Sequence, residues 1–307
     1  MILCCGEALI DMLPRLSPAG EPAFAPYAGG AIFNSAIALG RLGVPTEFFS
    51  GLSSDLFGQQ IREVLAASNV GSLYADLSSR PTTLAFVRLD NGHATYTFYD
   101  ENTAGRMLTE ADLPVLGNDI DAMLFGAISL IPEPCGSAYE ALMKREHENR
   151  VTMLDPNIRP GFIQDRQAHL ERMHRMIGMA DIVKLSDEDL AWFGETGDHA
   201  DIAASWLDKG PKLVIVTKGS KGATAYSSRH TVSVTPEKVT VVDTVGAGDT
   251  FNAGLLASLH DQHVLTKSAI SELSESAIET ALSLGARAAA VTVSRAGANP
   301  PWRRELA

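Results

Sequence analysis

A glycine-rich turn near the C-terminal end of the sequence constrains the fold of this chain more than any other feature. Residues 243–251 read Asp-Thr-Val-Gly-Ala-Gly-Asp-Thr-Phe, with three valines just before them and an apolar helical pattern after them. The pattern predicts a strand that runs into a turn at the start of a helix. Such a turn leaves backbone N–H groups free at the positive end of the helix dipole, and these groups favour binding of an anion.

The same turn places a carboxylate beside the free N–H groups. Gly246 and Gly248 let the backbone approach an anion closely, and Asp249 follows on the first helical turn. This combination suits phosphoryl transfer, because the N–H groups stabilise the moving charge and the carboxylate takes a proton from a hydroxyl. A tight turn with an N-capping Asp explains the same residues, so the local pattern alone leaves both interpretations open.

Composition excludes several classes of function. The chain has 307 residues and a net charge of −12, which suits one large α/β domain and disfavours a nucleic-acid or anionic-membrane surface. No segment approaches the ~20 apolar residues that span a bilayer. Cys4, Cys5 and Cys135 fit neither a metal site nor a disulfide framework. We therefore expect a cytoplasmic protein without a nucleic-acid or membrane partner.

Short apolar runs alternate with helical patterns along most of the chain, as is typical of parallel α/β sheets. The predicted strands are residues 2–5, 48–52, 122–128, 151–154, 181–185 and 212–216. The predicted helices are residues 35–42, 59–67, 135–148, 167–179, 187–193 and 202–207, and a hairpin is predicted at 222–226 and 231–234.

Two segments depart from this rhythm. Residues 82–89 and 94–99 alternate apolar and polar side chains around Asp90-Asn91-Gly92, and Asn-Gly favours a type I′ hairpin turn. Residues 17–26 are rich in proline and alanine and predict a loop or an irregular strand outside the main sheet. The alternative for the hairpin is an edge element that serves only dimerisation.

The glycine-rich run resembles the C-terminal signature of the PfkB, or ribokinase-like, carbohydrate kinases at every defining position. The family's N-terminal signature is similar to two further elements here, Gly-Gly…Asn at residues 29–34 and Gly-x-x-x-Asp-x-x-Gly at residues 51–58. Two such signatures far apart in one chain make coincidence a poor explanation. The resemblance covers essentially the whole chain.

This resemblance implies a ribokinase-like α/β fold, a parallel-rich central sheet between helices with a small β-sheet lid. Residues 1–307 would form a single domain, and parts of residues 12–28 and 81–103 would form the lid. The implied reaction is ATP-dependent phosphorylation of a sugar hydroxyl, with Asp249 as the catalytic base and the amides of Gly246, Ala247 and Gly248 as the anion hole. ATP and Mg²⁺ are the implied cofactors, and a K⁺ site near the loop that starts at Asp243 is left open.

The resemblance also assigns binding residues. The Asp-Pro-Asn-Ile-Arg stretch at residues 155–159 is similar to fructokinases and 2-keto-3-deoxygluconate kinases, and it implies that Arg159 lies over the active site as a catalytic and substrate-binding residue. The implied sugar contacts are Asp11, Gly29, Gly30, Asn34, Tyr99, Arg159 and Asp249. The implied nucleotide contacts are Lys184, Ser186, Thr217, Lys218, Gly219, Ser220, Gly222, Gly246, Ala247, Gly248 and Ala286.

Three positions of the chain depart from the family pattern. Ser186 and Asp189 stand where the family has the Asn and Glu of Asn-x-x-Glu, a motif that helps to organise Mg²⁺. The shorter carboxylate favours an indirect, water-mediated metal role for Asp189, and capping of a helix N-terminus is an equal alternative. Ala286 stands where the family often has Asn.

Residues at the end of the lid strand indicate which substrate the protein accepts. Tyr99-Asp100-Glu101 stands where 2-keto-3-deoxygluconate kinases carry Tyr-x-Arg to meet the substrate carboxylate. The reversed charge disfavours an anionic substrate, so we expect a neutral hexose, with D-fructose and fructose 6-phosphate as substrate and product. The alternatives are a 2-keto-3-deoxygluconate kinase, a nucleoside kinase, and a sugar- or nucleotide-sensing protein without turnover. A homodimer formed through the lid is left open.

Overall fold

A computed structural model describes residues 1–90 and 93–306. The predicted Asn91-Gly92 turn therefore lies outside the described residues. The strands are β1 (Ile2–Cys5), β2 (Leu9–Leu16), β3 (Pro22–Gly29), β4 (Thr46–Phe49), β5 (Gly51–Ser53), β6 (Val70–Gly71), β7 (Asp76–Ser78), β8 (Leu84–Asp90), β9 (His93–Tyr99), β10 (Ala122–Gly126), β11 (Val151–Asp155), β12 (Ile182–Ser186), β13 (Leu213–Thr217), β14 (Ala223–Tyr226) and β15 (Thr231–Val234). The helices are α1 (Ala31–Arg41), α2 (Leu56–Ala67), α3 (Cys135–Glu146), α4 (Arg166–Met179), α5 (Asp187–Phe193), α6 (His199–Leu207), α7 (Ala247–Asp261), α8 (Lys267–Ile270) and α9 (Glu275–Val293).

The apolar runs form a nine-stranded sheet in the order β15-β14-β13-β12-β11-β10-β1-β4-β6. Its pairs are parallel except for those that β14 makes with β13 and β15. One hydrophobic core lies between the sheet and α1, α7 and α9, and a second lies on the side of α3, α4 and α6. Because parallel strands end at one edge, the segments after β1, β10, β11, β12 and β13 meet there. The predicted parallel-rich sheet between helices is confirmed.

A second sheet of four strands, β3-β2-β8-β9, forms the lid sheet. Its register aligns Asp11 with Tyr27 and Ala85, and Ala85 with Phe98. Paired residues project from the same face, so the inner face of the lid sheet carries Asp11 and Phe98, and the outer face carries Phe86. Part of the segment predicted as a loop or irregular strand is the start of the paired strand β3.

The approach to the glycine-rich turn differs from the sequence prediction. Residues 235–246 contain no strand, and Val241 and Val242 are each 60% exposed. The N–H groups of Val242 and Asp243 instead donate to the carbonyl of Val293, at the end of α9. The valines have strand propensity but no neighbouring strand to pair with, because the chain leaves the sheet after β15. Helix α9 continues to Val293, so residues 285–293 form no strand.

The Gly-x-x-x-Asp-x-x-Gly element has a structural explanation. Asp55 caps α2 by accepting from Gly58 N at 2.8 Å, and it also accepts from Thr82 Oγ1 at 2.6 Å and Thr82 N at 2.9 Å. Burial acts to raise the pKa of Asp55, but these hydrogen bonds outweigh it and hold the pKa below its ordinary value. Asp55 therefore ties α2 to the segment that enters the lid sheet. Within the described part of the chain, no helix has both the length and the apolar character needed to cross a membrane.

Candidate active site

The glycine-rich turn forms the start of α7. Gly246 is the N-cap residue, in the left-handed region at φ 77°, and a Cβ there would lie 2.7 Å from Ala298 Cβ. Only glycine meets both demands without strain. The first turn of α7 directs its N–H groups out of the helix, and Ala247 N makes only a long bond of 3.3 Å to Thr244 O. The predicted cradle for an anion is therefore present in the backbone.

Asp249 is buried on the same first turn of α7. Its Oδ2 accepts from Asn34 Nδ2 at 2.9 Å, and its carbonyl accepts from Ser35 Oγ at 3.1 Å. Both partners lie on α1, which packs directly against α7. Burial raises the pKa of Asp249 to about 7, and the hydrogen bond from Asn34 offsets part of that effect. A carboxyl group with such a pKa is suited to act as a general base near neutral pH.

A buried ion pair lies beneath the cradle. Lys184 Nζ donates to Asp155 Oδ2 at 3.1 Å, and Asn252 Nδ2 donates to the same oxygen at 2.6 Å. A Cβ on Gly248 would lie 3.2 Å from Lys184 Nζ, so the ammonium group approaches the bare backbone. Burial acts to lower the pKa of Lys184, but the charges of Asp155, Asp189 and Asp249 outweigh it and raise the pKa. Lys184 is therefore a cation beside the anion cradle.

The predicted sugar residues converge on the other side of Asp249. Asp11 lies on β2, and a Cβ on Gly29 would lie 2.3 Å from Asp11 Oδ2, so this carboxylate needs a bare backbone beside it. Burial raises the pKa of Asp11 to about 6. Gly30 is the N-cap residue of α1, and Asn34 lies one turn along that helix. The structure thus brings Asp11, Gly29, Gly30 and Asn34 together near Asp249.

Tyr99 is a correction to the predicted sugar contacts. It projects from the outer face of the lid sheet, where its ring packs on Phe86 at 5.5 Å between centroids. A shift of one position along a strand reverses the face, so its neighbour Phe98 projects inward and packs on Phe162 at 4.6 Å. Tyr96 also lies on the inner face, within electrostatic range of Asp11.

The structure also corrects the prediction that Asp100 and Glu101 repel an anionic substrate. Asp100 accepts from Arg106 Nη1 at 3.0 Å, so its negative charge is paired within the protein. Glu101 is exposed to solvent. The repulsion of an anionic substrate that we expected from these two residues is therefore largely screened.

The predicted nucleotide residues lie at the ends of β12 and β13. Ser186 is paired with Thr217 across these strands, and Thr217 Oγ1 donates to Leu185 O at 3.2 Å. Gly219 and Ser220 form an exposed turn, whereas Lys218 Nζ donates to Thr224 Oγ1 at 3.3 Å.

Gly222 and Ala286 are two further predicted nucleotide contacts. Gly222 is buried, with φ 93°, and a Cβ there would lie 1.9 Å from Val234 O, so its glycine serves the hairpin itself. Ala286 is buried on α9.

Asp189 takes part in a capping box at the start of α5. Its Oδ2 accepts from Ser186 N at 2.8 Å, and its backbone N donates to Ser186 Oγ at 3.0 Å. Its Oδ1 accepts from Ile158 N at 2.8 Å, next to Arg159. Both carboxylate oxygens thus receive backbone donors, which favours the capping interpretation over a metal role. Among residues 1–90 and 93–306, no three His, Cys, Asp or Glu side chains are grouped as metal ligands.

Glu7 is a partly buried acidic group that the sequence patterns did not assign to the site. Its Oε1 accepts from Ala31 N at 2.7 Å and Ile32 N at 3.5 Å, at the start of α1. Its Oε2 is buried without a hydrogen-bond partner among the described residues. Burial raises the pKa of Glu7 to about 7, and the charge of Asp249 adds to the effect. The only signal in the sequence was its place just after the first strand.

Comparison with known proteins agrees with this geometry. Residues 1–304 match the pfkB family carbohydrate kinase. A fructokinase of Rhizobium leguminosarum bv. trifolii is 61% identical over 278 residues, which cover 91% of this chain and 85% of that protein.

Two solved structures that resemble this chain are also fructokinases. A fructokinase from Xylella fastidiosa with bound ATP has a TM-score of 0.90 at 28% identity, covering 99% of this chain and 97% of that one. A fructokinase from Vibrio cholerae O395, in a fructose, ADP and calcium ion bound form, has a TM-score of 0.83 at 25% identity, covering 97% and 94%. With the Gly-Gly…Asn element and the glycine-rich turn at one site and a family match over nearly the whole sequence, the chain belongs to the pfkB family of carbohydrate kinases.

Proposed function

We propose that the protein transfers the γ-phosphoryl group of ATP to the 6-hydroxyl of D-fructose. The observation that carries this proposal is the buried Asp249 carboxyl group, fixed by Asn34 beside the amide cradle of α7. The fructokinases that resemble this chain support fructose as the acceptor. Loss of the base or of a cradle glycine would favour a sensing protein without turnover, and both are retained.

The chemistry follows from the positions of these groups. Asp249 accepts the proton of the 6-hydroxyl as the sugar oxygen forms a bond to the γ-phosphorus. The bond from the γ-phosphorus to the β–γ bridging oxygen breaks, and ADP leaves with that electron pair. The amides of Ala247 and Gly248, with the ammonium group of Lys184, stabilise the charge on the transferred group.

Substrate positioning would come from both sides of the cradle. We assign the sugar hydroxyls to Asp11, Asn34 and the backbone of Gly29 and Gly30, and we place Arg159 over the reacting group. ATP would lie across the ends of β12 and β13, with its phosphates towards α7. The exposed valines of residues 239–245 offer an apolar surface for the adenine ring of ATP.

The residues present fit a hydrated Mg²⁺ held mainly by the ATP phosphates. Asp155 Oδ1 and Asn252 Oδ1 are buried oxygens without a hydrogen-bond partner among the described residues, and oxygen is the ligand atom that Mg²⁺ prefers. We therefore assign the orientation of the ion to Asp155 rather than to Asp189. When bound, Mg²⁺ would neutralise phosphate charge.

A K⁺ site at the loop that starts at Asp243 remains a proposal. The carboxylate of Asp243 accepts from Val245 N at 3.1 Å and Gly297 N at 2.9 Å, and so fixes the loop beside the cradle. A structural relative, a fructokinase double mutant from Vibrio cholerae O395, is in a fructose, ADP and potassium ion bound form.

We also propose that the protein works in the cytoplasm. Its three cysteines are free and buried, a state that a reducing compartment maintains. ATP, the proposed phosphoryl donor, is consistent with this location.

The role of Asp249 can be tested by substitution and by pH. Asp249→Asn is expected to lower kcat by roughly 10²–10⁴, because a neutral amide cannot accept the proton. In the unmodified protein, kcat/KM should rise with pH and level off above about 7, since only the ionised form of Asp249 acts as a base. Steady-state kinetics of both proteins, measured from about pH 5 to about pH 9, tests both effects.

Asp261→Asn makes the same chemical change on an exposed residue at the far end of α7, and it serves as the matched control. An Asp249→Asn variant with more than about a tenth of the unmodified kcat would rule out the base.

The choice of acceptor is a second test. We expect kcat/KM for D-fructose to exceed that for 2-keto-3-deoxygluconate by about tenfold or more, because Asp100 already neutralises Arg106. Asp100→Asn frees the Arg106 charge and should raise kcat/KM for the acid by about fivefold, while that for fructose stays nearly constant.

Glu101→Gln removes the neighbouring exposed charge and is the matched control for this pair. Equal gains from both variants would show that overall charge, not the Arg106 pair, decides the selectivity. A preference for the acid in the unmodified protein would contradict fructose as the acceptor and leave the phosphotransfer site intact.

We further propose that two copies associate through the outer face of the lid sheet. Phe24, Phe86 and Tyr99 form an aromatic cluster there, with centroid distances of 5.0 and 5.5 Å, and Leu16 beside it is 74% exposed. An exposed apolar sheet face of this kind suits a self-complementary twofold contact.

Phe86→Asp should convert the dimer to a monomer in size-exclusion chromatography with light scattering, because a buried unpaired charge opposes association. Val115→Asp, at an exposed valine away from the lid, should leave the dimer unchanged. A monomeric unmodified protein at micromolar concentration would contradict the proposal.

A further inference from the structure

A cavity of about 590 Å³ lies at the base of the lid sheet, on the α3 and α4 side of the central sheet. Its walls include Glu7, Leu9, Thr83, Phe98 and Phe162. None of the residues assigned above to the sugar or the nucleotide is among its described lining residues. The cavity is nevertheless adjacent to the acceptor site, because Phe98 shares the inner face of the lid sheet with Asp11.

Both arginines among the described lining residues of this cavity are paired within the protein, and Asp165 caps α4. Arg106 pairs with Asp100, and Arg172 pairs with Glu133 and Glu140. These pairs leave no strong positive field for an anionic ligand. The aromatic walls and the hydrogen-bonding groups instead suit a neutral, hydroxyl-rich ligand.

Glu7 differs from these charged groups. Its Oε1 serves the first turn of α1, which has no acidic residue and no N-cap side chain of its own. Its Oε2 has no hydrogen-bond partner among the described residues, although it is buried. Leaving a buried carboxylate oxygen unsatisfied is costly, so such an atom at a cavity wall indicates a ligand donor.

The position of Glu7 relative to the reacting group is set by α1. Ala31 contacts Glu7, and Asn34 contacts Asp249. These two helix residues are three apart, which corresponds to a rise of about 4.5 Å along the axis. The two carboxyl groups therefore contact the same helix at residues less than one turn apart.

We propose that Glu7 is a second acceptor-binding carboxylate, whose Oε2 receives a hydrogen bond from a sugar hydroxyl remote from the one that is phosphorylated. This inference rests on the proposed sugar kinase activity and deepens it. It assigns the acceptor as a polyol that reaches from Asp249 to the cavity at the base of the lid sheet. Helix capping alone explains Oε1 and leaves Oε2 without a function.

Glu7→Gln separates the two roles. The Gln carbonyl can still cap α1, but an amide NH₂ replaces Oε2, the oxygen that has no hydrogen-bond partner among the described residues. We expect KM for D-fructose to rise roughly 10- to 100-fold, the effect of losing a hydrogen bond to a charged group, while the melting temperature changes little.

The decisive comparison uses fructose analogues that each lack one hydroxyl, namely the 1-deoxy, 3-deoxy and 4-deoxy sugars and 2,5-anhydro-D-mannitol. For one of these analogues the unmodified protein should already show the raised KM, and Glu7→Gln should add no further loss. For the others the effects of the two changes should multiply. Glu133→Gln, a carboxylate of the same cavity that pairs with Arg172, is the matched control and should show no such coupling.

An equal loss with every analogue would overturn the proposal, because a helix cap would weaken all acceptors alike. If Glu7→Gln does not fold, a crystal structure of the unmodified protein with fructose decides. Glu7 Oε2 within about 3.2 Å of a sugar oxygen supports the proposal, and a separation beyond about 4 Å overturns it. An unmodified protein that phosphorylates no hexose would instead refute the proposed function, so the two failures are distinguishable.

Discussion

The hydrogen bond from Asn34 to Asp249 is the interaction on which the site depends. The two residues are 215 positions apart in the chain, and their contact joins the starts of α1 and α7. The helices pack directly together. They bring together the Gly29-Gly30 turn, which we propose binds the acceptor, and the Gly246–Gly248 turn, which we propose binds the phosphoryl group. Proximity of this kind supplies much of what an enzyme contributes to a two-substrate reaction.

Lys184 supplies a buried positive charge at this junction. Asp155, Asp189 and Asp249 lie within range of Lys184, and all four side chains are buried. Such a cluster costs stability, because charges lose their hydration on burial. The cost is reflected in the pKa of Asp249, raised to about 7, and it gives the base a useful basicity at neutral pH. ATP phosphates would bring further negative charge, which the cradle amides and the metal ion would meet.

Local sequence patterns predicted the central sheet and most flanking helices, because buried parallel strands and amphipathic helices carry strong periodicity. They also predicted that the Gly-x-Gly-Asp run lies at the start of a helix, which the structure shows, but the local pattern alone left an N-capping turn and an anion cradle equally open. They failed where one position of register or one distant partner decides the outcome. The side of the lid sheet from which Tyr99 projects depends on the phase of its strand. The effect of the Asp100 charge on a substrate depends on its ion pair with Arg106.

Glu7 illustrates the same limit at long range. It caps a helix that begins 24 residues later, and nothing in its own neighbourhood encodes that contact. The valines before the cradle illustrate the opposite error. Their β propensity is high, but strand formation also requires an available edge, which the sequence does not reveal.

We propose that the bare backbone of Gly248, against the Lys184 ammonium group, holds the phosphoryl group during transfer. Gly248→Ala tests it most directly, since the new Cβ would lie 3.2 Å from Lys184 Nζ and would enter the space of the phosphoryl oxygens. The account predicts a loss in kcat of roughly 10²–10³-fold with a nearly unchanged melting temperature. Gly178→Ala on α4, where a Cβ meets only an ordinary contact at 3.5 Å, is the control and should keep full activity. A folded Gly248→Ala protein with more than about a tenth of the unmodified kcat would contradict the account.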